Sequence, residues 1–145
     1  MTKTKIAKIL LVEDNPGDVR LTQEAFRESK ITVDIQVAGD GVEALAYLRR
    51  LIGLGEQMPD FVLLDLNLPR MDGREVLREM KEDARLRLIP VLILTTSNAR
   101  QDIMEAYKLH VNCYINKPVD FDDFFKIVQH IEEFWLRTAI LPSRV

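Results

Sequence analysis

The stretch IAKILLVEDNPGDVRLTQEAF, Ile6 to Phe26, holds one complete strand-to-helix unit and sets the reading of the whole chain. Ile6 to Val12 is apolar apart from Lys8, the pattern of a strand covered on both faces. The run breaks at Glu13-Asp14-Asn15-Pro16, where Asn15 suits a helix N-cap and Pro16 the first helical position. Val19, Leu21, Ala25 and Phe26 follow as the apolar side of an amphipathic helix, which Ser29-Lys30 closes.

Outward from this unit the alternation repeats to the end of the chain. Val33 to Ala38 reads as a second strand, and Gly39-Asp40-Gly41 turns into a helix carrying Val42, Leu45, Leu48 and Ile52, stopped by Gly53 and Gly55. Phe61 to Leu64 is a third strand that ends at Asp65, followed by the loop Leu66 to Asp72 and a helix with Val76, Leu77 and Met80. Pro90 introduces strand Val91 to Leu94, which runs into Thr95-Thr96-Ser97. A helix with Ile103, Ala106, Tyr107 and Leu109, a short strand through Cys113, Tyr114 and Ile115, the pair Lys117-Pro118, and a last helix from about Asp120 to Trp135 complete the pattern. Five strand–helix units in strict alternation predict an α/β fold: a parallel sheet, doubly wound, with right-handed crossovers.

Composition agrees with that class. The 145 residues are 47% hydrophobic and 30% charged, and 20 Lys+Arg against 23 Asp+Glu leave a net charge of −3. Such a chain has enough apolar surface for a closed core. No apolar run approaches the length of a membrane span, and the slightly acidic balance argues against a nucleic-acid partner, which needs a basic face. The lone Cys113 forms no internal disulfide. With no apolar segment behind Met1-Thr2-Lys3, the chain reads as cytoplasmic. Residues 1–145 read as one domain with a tail at 137–145 and no output domain, so a signal must leave by contact with another molecule.

In an open parallel sheet, ligands meet the carboxyl ends of the strands. Those ends carry Glu13 and Asp14, Asp65, Thr95 and, after the last strand, Lys117. Singly, each has an ordinary explanation as a cap, a turn former or a solvated charge; jointly, the fold gathers them into one cluster. Carboxylates crowded into one cleft stay ionised only beside a cation. Oxygen donors without His or Cys argue against zinc, and few ligands with no EF-hand pattern favour Mg²⁺ over Ca²⁺.

The segments ILLVEDNP (Ile9 to Pro16), VLLDLNLPRMDG (Val62 to Gly73), VLILTTS (Val91 to Ser97) and YINKP (Tyr114 to Pro118) resemble, in that order and spacing, the receiver domains of two-component response regulators. DLNLPRMDGREVL, LHVNCYINKPVD and the Phe/Trp-rich last helix look like the single-domain regulators that partner cyanobacterial phytochromes. The resemblance implies a flavodoxin-like (βα)5 receiver fold with strand order 2-1-3-4-5. It further implies that Asp65 accepts a phosphoryl group from a histidine kinase. Mg²⁺ would be held by Asp14, Asp65 and the backbone carbonyl of Asn67, with Glu13 through water. Lys117 and Thr95 would contact the phosphoryl group, Lys117-Pro118 would form a cis turn, and Tyr114 would be an aromatic switch answering Thr95. Such a protein is a phosphoacceptor that assists its own phosphorylation and dephosphorylation rather than an enzyme with an external substrate.

Three other readings compete. An aspartyl phosphatase needs a second aspartate two residues beyond the nucleophile, and that position is Asn67. A flavin carrier needs a Ser/Thr/Gly phosphate loop after the first strand, where Glu13-Asp14 would repel the phosphate. A receiver-like binding module that works without phosphorylation would not need the intact acidic cluster.

Among the remaining residues, Cys113 reads as a buried small hydrophobe, and His110 and His130 as helix-end and surface residues. Met58, Met71, Met80 and Met104 read as gap fillers. The last helix is apolar on more than one face: Phe124, Val128, Ile131 and Trp135 form the stripe toward the sheet, while Phe121, Phe125, Ile127 and Phe134 lie beyond it. A patch of that kind marks an interface; the resemblance to receiver domains implies that the face of the fourth helix, fifth strand and fifth helix is the dimerisation surface, which Ile103 and Tyr107 would extend, so the expectation is a symmetric homodimer through it. The competing expectation is that the tail folds back over those residues.

Overall fold

A computed structural model describes residues 6–145; Met1-Thr2-Lys3, read above as carrying no leader, lies outside the described residues. Strands β1 (Ile6–Val12), β2 (Thr32–Ala38), β3 (Phe61–Leu64), β4 (Val91–Thr95) and β5 (Cys113–Asn116) alternate with helices α1 (Pro16–Arg27), α2 (Gly41–Leu54), α3 (Gly73–Glu82), α4 (Arg100–Lys108) and α5 (Phe121–Ile131). All neighbouring strands pair in parallel, in the order β2-β1-β3-β4-β5. The expected fold class is therefore found.

Alternation along the strands divides the core in two. Leu10, Val12, Val62, Leu64, Val91 and Ile93 pack under α2, α3 and α4 with Leu45, Leu48, Val76, Leu77 and Ala106. Ile9, Leu11, Phe61, Leu63, Leu92 and Leu94 pack under α1 and α5 with Phe26, Phe124, Val128 and Ile131. Strands β3 and β4 are buried throughout, as a sheet covered on both faces requires, whereas edge strand β2 is buried only at alternate positions and less deeply. Edge position also explains Cys113, which is half-buried on β5 rather than fully buried as expected.

Side-chain caps fix where the helices start. Asn15, Asp40, Asp72 and Asp120 accept from the backbone N–H groups of Asp18, Glu43, Arg74 and Asp123. Gly55, at φ 65°, ends α2, while Gly53, expected to stop it, lies inside the helix. The last helix is α-helical only to Ile131 and then widens into a π-helical segment, Glu132–Thr138, where the sequence pattern predicted one continuous helix to Trp135. The tail turns back to the amino-terminal edge of the sheet. There Leu141 is buried, and Asp60 accepts from Ser143 Oγ, from Arg144 Nη2 at 2.8 Å and from the backbone N–H of Lys8 at 2.9 Å.

The β3–α3 connection is closed by Gly73, whose N–H donates to Leu66 O at 2.9 Å. A Cβ on Gly73 would lie 2.2 Å from Asp65 O and 2.7 Å from Leu66 Cα, so only glycine allows α3 to start this close to the end of β3. Gly73→Ala is expected to lower the unfolding free energy by roughly 1–3 kcal/mol in urea titrations, as overpacking does. Gly53→Ala, where nothing lies within 4 Å of the added methyl, should raise it by about 0.5–1 kcal/mol.

Candidate functional site

The carboxyl ends of β1, β3 and β4, with the segment after β5, bring the predicted residues together. Glu13, Asp14 and Asp65 each offer a carboxylate oxygen, and those oxygens lie within 4.8 Å of one another. Glu13 is buried, Asp14 exposed and Asp65 half-buried. Lys117 sits beneath them at 7% exposure. Its Nζ donates to Glu13 Oε1 at 2.6 Å and to Asp18 Oδ2 at 2.9 Å, and it lies 3.6 Å from Asp65 Oδ2.

Backbone bonds hold these groups in place. Glu13 Oε2 accepts from the N–H groups of Asp14 and Asn15, so the carboxylate is oriented by the turn it belongs to. Asp65 N–H donates to Val12 O, tying the end of β3 to the end of β1. Asn67, exposed on the β3–α3 loop, donates its N–H to Asp65 Oδ1 at 3.3 Å. The Lys117 N–H donates to Thr95 O at 2.6 Å, which joins the segment after β5 to β4.

Thr95 is fully buried, and among the described residues its Oγ1 is the buried side-chain polar atom that has no hydrogen-bond partner. Tyr114, half-buried on β5, donates its hydroxyl to Ser97 O at 2.8 Å, two residues beyond Thr95. The expected cis bond at Lys117-Pro118 is not found; the peptide is trans. The trans form is intrinsically preferred by about 0.5–1 kcal/mol, and with it the ammonium already reaches Glu13, Asp18 and Asp65.

Asp18 is the member of the site that sequence reading missed. It stands in the first turn of α1, its backbone N–H capped by Asn15, and that role explained it without reference to Lys117. Its signal was helical geometry: three residues beyond the cap, on a helix that starts at the cleft.

Electrostatics follow from burial. Desolvation pushes the Glu13 carboxyl up to about 7, against the hydrogen bond and charge of Lys117 that favour its anion. For Lys117, burial works against the ammonium, but the hydrogen bonds to Glu13 and Asp18 and the charge of Asp65 outweigh it, so its pKa rises. One buried ammonium faces the carboxylates of Glu13, Asp18 and Asp65, with Asp14 beside them. That surplus of hard oxygen donors fits a divalent cation of the oxygen-loving kind.

These features define a receiver site, and the chain belongs to the response regulator receiver domain family, whose profile matches residues 9–129. It is 48% identical over 139 residues to response regulator Rcp1 of Synechocystis sp. (strain ATCC 27184 / PCC 6803 / Kazusa), covering 93% of this chain and 92% of that protein. It is also 48% identical over 128 residues to the probable methanogenesis regulatory protein FilR2 of Methanothrix harundinacea, covering 88% and 83% of the two chains. Among solved structures, the phosphorylated cyanobacterial phytochrome response regulator RcpA superposes with a TM-score of 0.90 at 51% identity, covering 95% of this chain and 99% of that one. The Mn(2+)-bound form of Rcp1 superposes with a TM-score of 0.87 at 47% identity, over 94% and 99%.

The raised Glu13 pKa sets a pH dependence. Between the ordinary value of 4.5 and about 7 the folded protein holds a proton that the unfolded chain does not, so stability must fall as pH rises through that window. In chelator-treated buffer, the urea midpoint of wild type should decline from pH 5 toward pH 8 relative to Glu13→Gln. Parallel profiles for the two proteins would contradict the assignment.

Proposed function

We propose that this chain is a phosphoacceptor in a two-component relay, taking a phosphoryl group from a histidine kinase onto Asp65. The observation that carries the reading is the unpartnered, buried Thr95 hydroxyl at the strand ends that also hold Asp65 and Lys117. Burying a hydroxyl without a partner costs free energy, and a phosphoryl oxygen bound at Asp65 would supply the missing acceptor.

The chemistry is an in-line transfer. A carboxylate oxygen of Asp65 forms a bond to phosphorus as the P–N bond to the kinase histidine breaks, and the imidazole leaves with the electron pair and takes a proton. Lys117 offsets charge on the phosphoryl oxygens, and Thr95 donates its hydroxyl to one of them. Asp14, Asp65 and the backbone carbonyl of Asn67, with Glu13 through water, would hold Mg²⁺, which supplies further charge neutralisation when bound. Asn67, two residues beyond the nucleophile, offers no general acid, which favours a stable acceptor over a phosphatase.

The likeness to RcpA and Rcp1 supports a phytochrome-linked kinase as donor; FilR2, equally identical to this chain as Rcp1, keeps other kinases in the comparison. No described helix is long and apolar enough to cross a membrane. For output, the uncovered face of α4, β5 and α5 favours a homodimer. Phe121 and Phe134 are 59% and 54% exposed, Met104, expected as a gap filler, is 46% exposed, and Tyr107 lies beside it on α4. A shallow groove of about 270 Å³ lined by Ile115, Ile127, His130, Ile131, Phe134 and Trp135 stays open. The tail does not cover it, because Leu141, Ser143 and Arg144 are engaged at the far edge of the sheet around Asp60.

Incubation with acetyl phosphate and Mg²⁺ should add one phosphoryl group to wild type, read by intact mass, and none to Asp65→Asn. Equal labelling of the two would leave a binding module that works without phosphorylation at this residue. On sedimentation, wild type should associate at tens of micromolar, more strongly when phosphorylated, and Ile127→Glu combined with Phe134→Asp should remain monomeric. A wild type that stays monomeric in both states would rule the dimer out.

A further inference from the structure

A polar cluster outside the site connects the end of β3 to α4. The α3 start is locked to Asp65 by the Gly73–Leu66 bond and the close approach described above. Arg74 follows. Its guanidinium donates to both oxygens of Asp72 at 3.0 and 3.1 Å and to Asp102 Oδ1 on α4 at 2.5 Å, and lies 3.5 Å from Glu105 Oε2. Asp102 in turn accepts from Ser97 Oγ, and Ser97 O accepts from Tyr114.

Helix capping does not account for this arrangement. Asp72 caps α3 through the backbone N–H of Arg74, which any non-proline residue provides. Helix α4, by contrast, has Ala99 at its N-cap and so no side-chain cap, and its first turn is held by the Ser97–Asp102 bond and by Arg74. The Arg74 side chain is only 22% exposed, and its planar fork meets Asp72, Asp102 and Glu105 through three different nitrogens, a fixed spread that the compact ammonium of a lysine does not reproduce.

We infer that Arg74 is a positioning residue that couples the state of Asp65 to α4 through Asp102 and Ser97. The inference rests on Asp65 being the acceptor. Phosphorylation engages Thr95, two residues before Ser97; a β4–α4 loop that moves with Thr95 must carry or break the Ser97–Asp102–Arg74 contacts, and α4 has no other cap to hold it. The guanidinium therefore decides whether the displacement reaches the helix.

The test compares wild type, Arg74→Ala, Arg74→Lys and Asp102→Asn by amide NMR before and after acetyl phosphate with Mg²⁺, with intact mass giving the phosphoryl occupancy. Both Arg74→Ala and Asp102→Asn should accept phosphoryl, while the phosphorylation-induced shift changes of the α4 amides fall to roughly half or less of wild type, with Arg74→Lys intermediate. The Arg74→Ala/Asp102→Asn double variant should lose no more than the stronger single, since the two act on one contact. Wild-type shift changes in Arg74→Ala at equal occupancy would overturn the coupling, as would a folded Arg74→Ala that no longer accepts phosphoryl. If Arg74→Ala does not fold, Asp102→Asn alone decides in the same terms. A wild type that takes up no phosphoryl overturns the acceptor reading and the coupling with it, and the mass measurement separates that result from a failure of coupling alone.

Discussion

The buried Lys117 ammonium is the contact on which the rest of the site depends. Among the described residues it is the cation within reach of Glu13, Asp18 and Asp65, which stand at the end of β1, on α1 and at the end of β3, and its own backbone N–H is bonded to β4. One residue thus ties four elements together at the carboxyl edge of the sheet, three through its side chain and one through its backbone. Removing it would leave Glu13 buried without its counter-charge and push its carboxyl still further toward the protonated form. The upward shift of Glu13 shows that even with Lys117 present burial dominates locally, so the cleft favours an added positive charge and, at Asp65, an electrophile whose transfer brings cation and hydroxyl donors into use.

Around this contact the fold divides its labour between the two ends of the sheet. The carboxyl edge is assembled from loops shortened by caps and by Gly73, which leaves polar groups close together and partly unsatisfied. The amino edge is closed by the tail, where a 1% exposed Asp60 is matched by Arg144, Ser143 and the Lys8 N–H. Satisfied polar groups stabilise one end, and an unpartnered Thr95 hydroxyl marks the other. Between them, α5 sets Phe124, Val128 and Ile131 on the sheet, packs Phe125 partly against the same core and leaves Phe121 toward solvent.

The sequence made the architecture legible because strand burial and helical period leave different marks: continuous apolar runs in β1, β3 and β4, spaced apolar residues in the helices. Edge effects were harder to read, since Cys113 on β5 has the same neighbours in sequence whether its strand is central or peripheral. Of the site, the strand-end residues Glu13, Asp14, Asp65 and Thr95 were readable from topology alone, and Lys117 from its place after β5. Asp18 was hidden by having a sufficient local explanation in the first turn of α1. Arg74 and Asp102 were hidden because their contact spans 28 positions of sequence, and nothing in the pattern of either helix reveals that α3 and α4 face each other there. The trans Lys117-Pro118 peptide corrects an expectation drawn from resemblance: the ammonium reaches the cleft without the isomer assumed for it.

The account stands or falls on which oxygen carries the phosphoryl group. Borohydride reduction of the acyl phosphate in wild-type protein treated with acetyl phosphate and Mg²⁺, followed by peptide mass mapping, reports that atom directly, because the phosphorylated carboxyl is converted to an alcohol. The structure predicts reduction at Asp65 and at no other carboxylate of the cleft. Reduction at Asp14, Glu13 or Asp18, or a protein that yields no reduced peptide at all, would contradict it.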